Sequence, residues 1–561
     1  MAIKRVCFQL LFTLFLFWKL FPLEANKSIT NATNSEVGCI EIERKALLNF
    51  KKGLNDNDSS GQLSTWVGED CCKWSGVWCN KQTGNVLRLQ LSNLSGKINP
   101  SLFDLKHLNN VSLSSNDFEG APIPKFIASF SELSYLDLSN SSFSGRVPPH
   151  LGNLSNLLYL NLNANNKMWV SGLNWITKFS HLQYLNLGDV DLSLASTTWL
   201  HSVSMLPFLE QLHLPRSELQ NFPDFIPQSN FSNLKILNLE NNLLNTSFPQ
   251  WLFNISTLLK LQFMGCQIIG SLPADGWGKL CNLVSLDLPY NELSGRIDEF
   301  FGSLSECSNS SLEELDFWDN QLNGEIPESI GGFKNLKILW LGENSISGSI
   351  PPSIENLSFL ESFYLPANAM DGTLPDTIGQ LSNLVLIDLS RNSWKGVLSE
   401  THFLRLTKLK TFGVSSLRMS LAVNISHDWI PPFSLDYMEI SACNLGSVFP
   451  SWIEAQTDLS FLILKDDALW GEIPDWLWKL SQELISLDLS GNQFKGKVPS
   501  SLVFGSEAWV DLHSNYLEGS LPIWTNVKDL NLDDNTFSGP IPMKFCKEMR
   551  LLRTFYFLET S

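Results

Sequence analysis

The chain is 561 residues long and carries a formal net charge of −18. A chain this acidic repels the phosphate backbone, which argues against nucleic acid as a partner. Thirteen Asn-x-Ser/Thr sequons, many more than a cytosolic chain needs, indicate export through the secretory pathway.

The N-terminus has the layout of a secretory signal peptide, predicted over residues 1–25. Lys4 and Arg5 precede an apolar run over 7–23, and a small residue follows for cleavage. A retained membrane anchor is the alternative, and Lys19 inside the run argues against it. No later stretch has the length of apolar residues that a membrane span requires.

Residues 26–85 have the features of an N-terminal cap. A helical pattern over 43–54 is followed by a cysteine-rich segment at 70–79. The strands that begin at residue 86 would otherwise expose the leucines of their first unit to water, so a disulfide-stapled lid is expected.

Four cysteines of the cap allow three disulfide connectivities. We favour two pairs, Cys39 with Cys71 and Cys72 with Cys79. A zinc site is the alternative, but there is no C-x-x-C pair and no nearby histidine, so no metal is predicted.

The clearest repeat lies within residues 312–392. Leu312, Leu336, Leu360 and Leu384 open successive units of 24 residues with an L-x-x-L-x-L-x-x-N type of pattern. This pattern and period are typical of the leucine-rich repeat, in which each unit supplies one strand to a parallel sheet. We therefore predict a leucine-rich-repeat solenoid, a right-handed curved superhelix with a parallel concave β-sheet and short helices or loops on the convex side.

The chemistry of one unit explains why the units must stack. Side chains alternate along a strand, so the leucines point inward and only neighbouring units can bury them. The asparagine after each strand can donate to and accept from backbone groups that the turn leaves unpaired. Cys266 and Cys443 occupy the same position and are predicted to be small buried residues rather than nucleophiles. The predicted asparagine ladder consists of Asn116, Asn165, Asn242, Asn291, Asn320, Asn344, Asn368, Asn392, Asn492, Asn515 and Asn535.

We count nineteen strand units, about 19 repeats over residues 86–543, followed by a non-repeat tail at 544–561. Two stretches, 163–233 and 409–443, lose the regular pattern. Drift in a tolerant scaffold is the favoured interpretation, and a kink in the superhelix is the alternative.

Two features are predicted on the flanks of the solenoid. Cys281 and Cys307 lie just before consecutive strands and are predicted to form a disulfide. Four sequons lie four residues before an opening leucine, so their glycans would share one outer flank: Asn153, Asn230, Asn254 and Asn356.

The candidate binding surface follows from strand positions. Residues two, four, six and seven places after an opening leucine point away from the leucines, and neighbouring strands lie roughly 4.8 Å apart. Water-facing Trp and Tyr anchor many protein interfaces, although some surface Trp is ordinary and this chain has 19. The predicted ligand-binding residues, an aromatic and acidic patch on four adjacent units, are Tyr290, Asp316, Trp318, Asp319, Trp340, Glu343 and Tyr364.

Several motifs together resemble those of plant leucine-rich-repeat receptor-like proteins. These are C-x3-ER-x-ALL-x-FK at 39–51, CC-x-W-x-GV-x-C at 71–79 and repeat turns of the LSG-x-IP type. Within that family the chain is most similar to the group of fungal xylanase receptors and apple scab resistance proteins. The resemblance implies a cell-surface immune receptor with a glycosylated ectodomain, one transmembrane helix and signalling through partner kinases. Such proteins continue with further repeats, a closing cap and the membrane helix, so this chain resembles a truncated member that lacks the anchor and would be secreted.

Motifs of enzymes are not found. The chain has no G-x-S-x-G, H-E-x-x-H, phosphate-binding loop or kinase signature, and its eight histidines are scattered among units. We therefore expect no enzymatic activity and no cofactor.

The resemblance implies instead a ligand-recognition ectodomain in plant defence, at the extracellular face of the plasma membrane. Its partners would be a microbial protein or peptide elicitor on the concave face and a receptor-kinase co-receptor that docks on a region missing here. The alternative is a soluble secreted inhibitor of microbial cell-wall-degrading enzymes, similar to polygalacturonase-inhibiting proteins. A structural wall protein that binds no ligand is a third interpretation.

Overall fold

The computed structural model describes residues 38–56, 61–165, 167–220, 222, 231–446 and 448–557. The predicted signal peptide lies outside these described residues. Within them, no helix combines the length and the apolar character needed to cross a membrane.

A single open sheet runs through the molecule, and its twenty parallel strands confirm the predicted solenoid. Each strand pairs with the strands of the preceding and following repeats. The strands are Val86–Gln90, Asn110–Ser112, Tyr135–Asp137, Tyr159–Asn161, Tyr184–Asn186, Gln211–His213, Ile236–Asn238, Lys260–Gln262, Ser285–Asp287, Glu314–Asp316, Ile338–Trp340, Ser362–Tyr364, Leu386–Leu389, Thr411–Ser415, Tyr437–Ser441, Phe461–Lys465, Ser486–Asp488, Ser501–Asp511, Ile523–Asn531 and Thr554–Tyr556.

The register of this sheet aligns the inward-pointing residues of successive repeats. Leu315 pairs with Leu339, and Leu339 pairs with Phe363, and all three side chains are fully buried. Because every strand repeats this alignment, the core is one continuous apolar column between the sheet and the convex side.

Short helices make up the convex side, as the sequence predicts. Among the described residues, the α-helices are Glu41–Lys51 in the N-terminal cap and Trp199–Ser204, Ile297–Leu304, Asp475–Lys479 and Phe545–Glu548 in the repeats. The 3₁₀ helices are Gln62–Thr65, Cys71–Lys73, Pro100–Asp104, Lys125–Ser129, Pro149–Asn153, Ile176–Lys178, Ser193–Ala195, Phe231–Asn233, Gln250–Asn254, Trp277–Lys279, Glu328–Gly332, Pro352–Asn356, Asp376–Gln380, Glu400–Phe403, Leu417–Met419 and Ser451–Ala455.

Shorter strands flank the main sheet where the chain turns toward the convex side. They pair mostly in parallel between neighbouring repeats and form small sheets of two to four strands. Their bounds are Ser144–Arg146, Lys167–Trp169, Ile269–Ser271, Glu292–Arg296, Gln321–Asn323, Ser347–Gly348, Ala369–Met370, Gly396–Leu398, Leu421–Val423, Trp470–Glu472, Gln493–Lys497, Tyr516–Gly519 and Thr536–Phe537.

The predicted asparagine ladder is present. Asn344 shows its geometry: Nδ2 donates to the carbonyl oxygens of Phe317 at 2.9 Å and Leu341 at 3.1 Å, and Oδ1 accepts from the Leu322 amide at 2.9 Å. One side chain therefore joins two consecutive repeats. The other ten predicted asparagines make the same kinds of hydrogen bond.

The two cysteines in the ladder position are buried thiols. Cys266 and Cys443 are both without a disulfide, and burial raises the pKa of each thiol, to about 12 for Cys266. A thiol that keeps its proton at neutral pH is a poor nucleophile, in line with the packing role predicted for these residues.

The N-terminal cap covers the first repeat as expected. Helix Glu41–Lys51 packs on it, and strand Val77–Cys79 pairs antiparallel with Val86–Gln90. The helix ends before the predicted residue 54, because Leu54–Asp56 instead forms a short strand antiparallel to Leu94–Gly96.

Disulfides hold this cap together in the favoured connectivity. Cys39 joins Cys71, and Cys72 joins Cys79. The sulfur atoms of Cys39, Cys71 and Cys72 lie close together, but each is already in a disulfide and so is not a metal ligand.

The C-terminal tail differs from the sequence-based expectation. Residues 544–561 were expected to lie outside the repeats, yet Thr554–Tyr556 pairs in parallel with Ile523–Asn531 and forms a twentieth strand. Phe555 takes the place of the inward-pointing leucine and packs on Phe545, with ring centroids 5.2 Å apart. The count of nineteen units is therefore one too low.

Candidate ligand-binding surface

The predicted binding residues lie on or directly after neighbouring strands of the main sheet, on the face opposite the leucines. Ring centroids are 5.2 Å apart for Tyr290 and Trp318, 5.7 Å for Trp318 and Tyr364, and 6.1 Å for Trp340 and Tyr364. The structure therefore brings the four aromatic residues into one cluster. We call the set Tyr290, Asp316, Trp318, Asp319, Trp340, Glu343 and Tyr364, together with Asp287, the aromatic-acidic surface.

Trp318 is buried, which corrects its predicted exposure to water. Only 6% of the residue is accessible, because the rings of Tyr290 and Tyr364 pack against it. It nevertheless stays outside the leucine core and remains on the outer face of the sheet. Its indole Nε1–H has no acceptor among the residues that the structure describes. A buried donor without an acceptor costs about 1–3 kcal/mol.

The other three aromatic residues are half-buried and can contact a ligand. Tyr290 and Tyr364 flank Trp318, and Trp340 lies beside Tyr364 on the next strand. The Trp340 Nε1–H donates to Ser362 Oγ at 2.8 Å, which fixes the orientation of this indole ring. The surface therefore presents oriented aromatic edges and faces rather than loose side chains.

Two carboxyl groups stand side by side in this surface. Asp287 and Asp316 are paired residues of adjacent parallel strands, so their backbones are about 4.8 Å apart. Burial raises the pKa of Asp316 to about 7, although the Trp318 amide, which donates to Asp316 Oδ1 at 2.9 Å, acts in the opposite direction. The pKa of Asp287 is also well above its usual range, first because of burial and then because of the negative charges of Asp316, Glu240 and Glu314.

Asp287 is a residue of this surface that is absent from the predicted binding residues. It lies four places after the opening residue Leu283, so the same positional rule would have found it. The signal was therefore present in the sequence.

Asp319 and Glu343 lie at the edge of the surface, where the chain leaves the strands. Both adopt a left-handed backbone, with φ of 54°, and Tyr290 does the same with φ of 55°. Glu343 Oε1 accepts from Arg391 Nη1 at 2.9 Å, while Asp319 is exposed. Arg391 was not selected either, although it occupies the same position seven residues after Leu384.

A second aromatic array on the same face was not predicted. Tyr135, Tyr159 and Tyr184 stack face to face on three consecutive strands, with successive ring centroids 4.2 Å apart. The repeated motifs YLD, YLN and YLN carry this signal in the sequence. Because their ring faces cover one another, these tyrosines stabilise the sheet and offer mainly their edges to a ligand.

The predicted glycosylation sites lie at one recurring place. Asn153, Asn254 and Asn356 are each the last residue of a 3₁₀ helix on the convex side, and all three are exposed. Asn230 lies outside the described residues. Glycans at the three described sites would leave the aromatic-acidic surface open, and their use remains a prediction.

Comparison with known protein families identifies the repeats. The Leucine rich repeat N-terminal domain matches residues 41–80, and the Leucine Rich Repeat matches residues 132–154, 282–304, 311–333, 335–357 and 483–504. The chain is a leucine-rich-repeat protein. Two of these matched segments, 311–333 and 335–357, contain five of the predicted binding residues.

Among curated relatives, this leucine-rich-repeat protein is similar to plant receptor-like proteins. It is 39% identical to Receptor-like protein EIX2 of Solanum lycopersicum over 93% of this chain and 59% of that protein. It is 32% identical to Receptor-like protein EIX1 of the same plant, over 92% of this chain and 58% of that protein. The chain thus spans less than two thirds of the length of these relatives.

Solved structures of plant receptors share the fold. The plant peptide hormone receptor RGFR1 in complex with RGF2 is 27% identical, with a TM-score of 0.59 over 87% of this chain and 84% of that chain. The structure of PEPR1 with AtPEP1 is 25% identical, with a TM-score of 0.58 over 92% of this chain and 85% of that chain.

Proposed function

We propose that this leucine-rich-repeat protein is a ligand-recognition ectodomain of a plant cell-surface receptor-like protein that acts in defence signalling. It binds a microbial protein or peptide elicitor through the aromatic-acidic surface. The observation that carries the proposal is the cluster of Tyr290, Trp318, Trp340 and Tyr364 on the face away from the core. Aromatic residues gathered on a rigid sheet provide large contact area at small entropic cost.

Two similarities support this proposal. The curated relatives at 39% and 32% identity are named receptor-like proteins. A structural neighbour at 27% identity is a peptide hormone receptor in complex with its peptide. The family resemblance suggests a receptor-kinase co-receptor as its signalling partner.

A double variant tests whether ligand binds at this surface. Trp340→Ala with Tyr364→Ala removes two half-buried rings, and the expected result is a loss of affinity of about 100-fold or more. Trp318→Ala is unsuitable because truncating a buried Trp costs about 3–5 kcal/mol of stability. The measurement is biolayer interferometry with purified secreted fungal proteins and peptides derived from them.

The matched control removes two exposed aromatic residues elsewhere. Trp470 and Tyr516 lie on flank strands and are 50% and 61% exposed, so Trp470→Ala with Tyr516→Ala should keep full affinity. Equal affinity in wild type and in the Trp340/Tyr364 variant would contradict the proposal. Inhibition of secreted pectinases by the chain alone would support the inhibitor alternative instead.

A further inference from the structure

We propose that the aromatic-acidic surface selects a peptide that places a cationic side chain, arginine or lysine, against Asp287 and Asp316. This inference rests on the proposed function and specifies its ligand class. It follows from the paired carboxyl groups, the aromatic rings around them and the buried donor of Trp318.

The two carboxyl groups lack a countercharge. Within the described parts of the chain, no lysine or arginine forms an ion pair with Asp287 or Asp316, and the charged neighbours that act on Asp287 are the acidic Glu240 and Glu314. Arg391, which lies on the same face, forms its ion pair with Glu343 instead. Burying like charges side by side is costly, and a cation from a ligand would relieve that cost.

The surrounding rings suit the same kind of group. Tyr290 and Trp318 follow the strands that carry Asp287 and Asp316, and Trp340 pairs with Asp316 on the next strand. Aromatic faces attract guanidinium and ammonium groups, and this attraction is stronger in a partly dry site. Carboxylates bordered by aromatic rings therefore favour a cation over a neutral group.

The indole of Trp318 points to a peptide rather than a free cation. Its Nε1–H is buried within the surface and lacks an acceptor among the described residues. A backbone carbonyl of a bound peptide would satisfy this donor once the ring of Tyr290 or Tyr364 turns aside and uncovers it. Acidic oligosaccharides from plant walls would meet like charge at Asp287 and Asp316, which disfavours them.

Selection from a displayed peptide library tests the ligand class. The probe is a random library of 12-residue peptides, panned against the full chain at pH 7.5 and low salt. We expect enriched peptides to share an arginine or lysine at a common position. The best peptide should lose about 10- to 100-fold in affinity when that residue is changed to alanine. Enrichment of acidic or neutral sequences, or of none, would overturn the proposal.

Isosteric variants then assign the cation to the two aspartates. Asp287→Asn with Asp316→Asn should weaken the selected peptide by about 10- to 100-fold, because the negative charge is lost while the shape is kept. The same variant should unfold at a higher urea concentration than wild type at pH 7.5, because it removes two carboxyl groups whose pKa values are raised on folding and which therefore cost free energy to bury at that pH. A loss of binding without a loss of stability excludes misfolding as the cause.

The control is a carboxylate at the corresponding position of a distant repeat. Asp488 lies four residues after Leu484, as Asp316 does after Leu312. Asp488→Asn should bind the peptide as wild type does. If Asp488→Asn weakens binding as much as the double variant, the cation site is wrongly placed.

The failure of this inference differs from failure of the proposed function. Neutral peptides whose binding is lost in the Trp340/Tyr364 variant would leave the binding surface in place and refute only the cation site. Peptides that bind equally to wild type and to both variants would refute the surface itself.

Discussion

Asp467 occupies the ladder position that asparagine fills in most repeats. Its Oδ1 accepts from the Cys443 amide at 2.9 Å, but Oδ2 has no partner among the described residues. An asparagine amide at this position donates to two backbone carbonyls, as Asn492 does one repeat later, to Leu464 and Leu489. A carboxyl group can replace that donor only when it is protonated.

Replacing Asp467 by asparagine should therefore stabilise the protein. Burial raises the pKa of Asp467 from 3.8 to about 9, so folding at neutral pH requires this group to take up a proton. Each pH unit between 3.8 and the working pH costs about 1.4 kcal/mol, which sets an upper limit of about 4 kcal/mol at pH 7.

The raised pKa of Asp467 also predicts how the stability of the protein changes with pH. A carboxyl whose pKa is raised on folding contributes full stability below about pH 4, and that contribution is lost as the pH rises toward 9. Urea unfolding between pH 4 and 9 should show that Asp467→Asn has a higher free energy of unfolding than wild type, and that this difference grows as the pH rises. A difference that stays constant across this range would contradict the raised pKa of Asp467.

Single residues differ in how far the sequence predicts their surroundings. The asparagine ladder was predictable because an asparagine at the same position of each repeat meets the same backbone groups, those of its own turn and those of the repeat before it. The burial of Trp318 was not, because it depends on where the rings of Tyr290 and Tyr364 settle on neighbouring strands. The alternation of side chains along a strand predicts on which face of the sheet a side chain lies, but not which neighbouring side chains cover it.

At the scale of elements, a disulfide joins two neighbouring repeats on the flank. Cys281 and Cys307 are bonded, with their Cα atoms 5.3 Å apart and a sequence separation of 26. Helix Ile297–Leu304 lies within the loop that this bond closes. The bond thus ties that helix to the repeat before it.

Removing this bond should destabilise the protein by about 3 kcal/mol, because closing a loop of this length restricts the unfolded chain. The variant is Cys281→Ser with Cys307→Ser, and Cys546→Ser, which removes an exposed free thiol, is the control. Urea unfolding gives the stability. Digestion of wild type with trypsin, which cleaves after Arg296 between the two cysteines, should release two peptides as a linked pair when no reductant is added, and two free thiols would contradict the bond.

The strands of the main sheet could be predicted from the sequence where leucine and asparagine recur at fixed positions, and less accurately where other residues take those positions. The sheet continues in register through both irregular stretches, for example from Gln211–His213 to Ile236–Asn238 and from Thr411–Ser415 to Tyr437–Ser441. Strand Thr554–Tyr556 was missed because phenylalanine and tyrosine stand where earlier repeats have leucine. A strand needs an apolar inward residue, and phenylalanine meets that need as well as leucine does.

At the scale of the whole molecule, stacking converts a local repeat into an extended surface. Each repeat contacts mainly its neighbours, so the arrangement of side chains along the sheet is held by a rigid parallel register. The aromatic-acidic surface exists only because four consecutive repeats present their outward residues together. A ligand bound at this surface would contact several repeats at once, which is how a solenoid gains affinity from modest individual contacts.

Photo-cross-linking of a bound peptide tests this account most directly. A peptide selected from the 12-residue library, with a diazirine amino acid beside its basic residue, is bound to the full chain, irradiated and mapped by mass spectrometry. The account predicts cross-links within residues 283–368, centred on the strands that carry Asp316, Trp340 and Tyr364. Cross-links confined to the convex helices or the flank strands would contradict it.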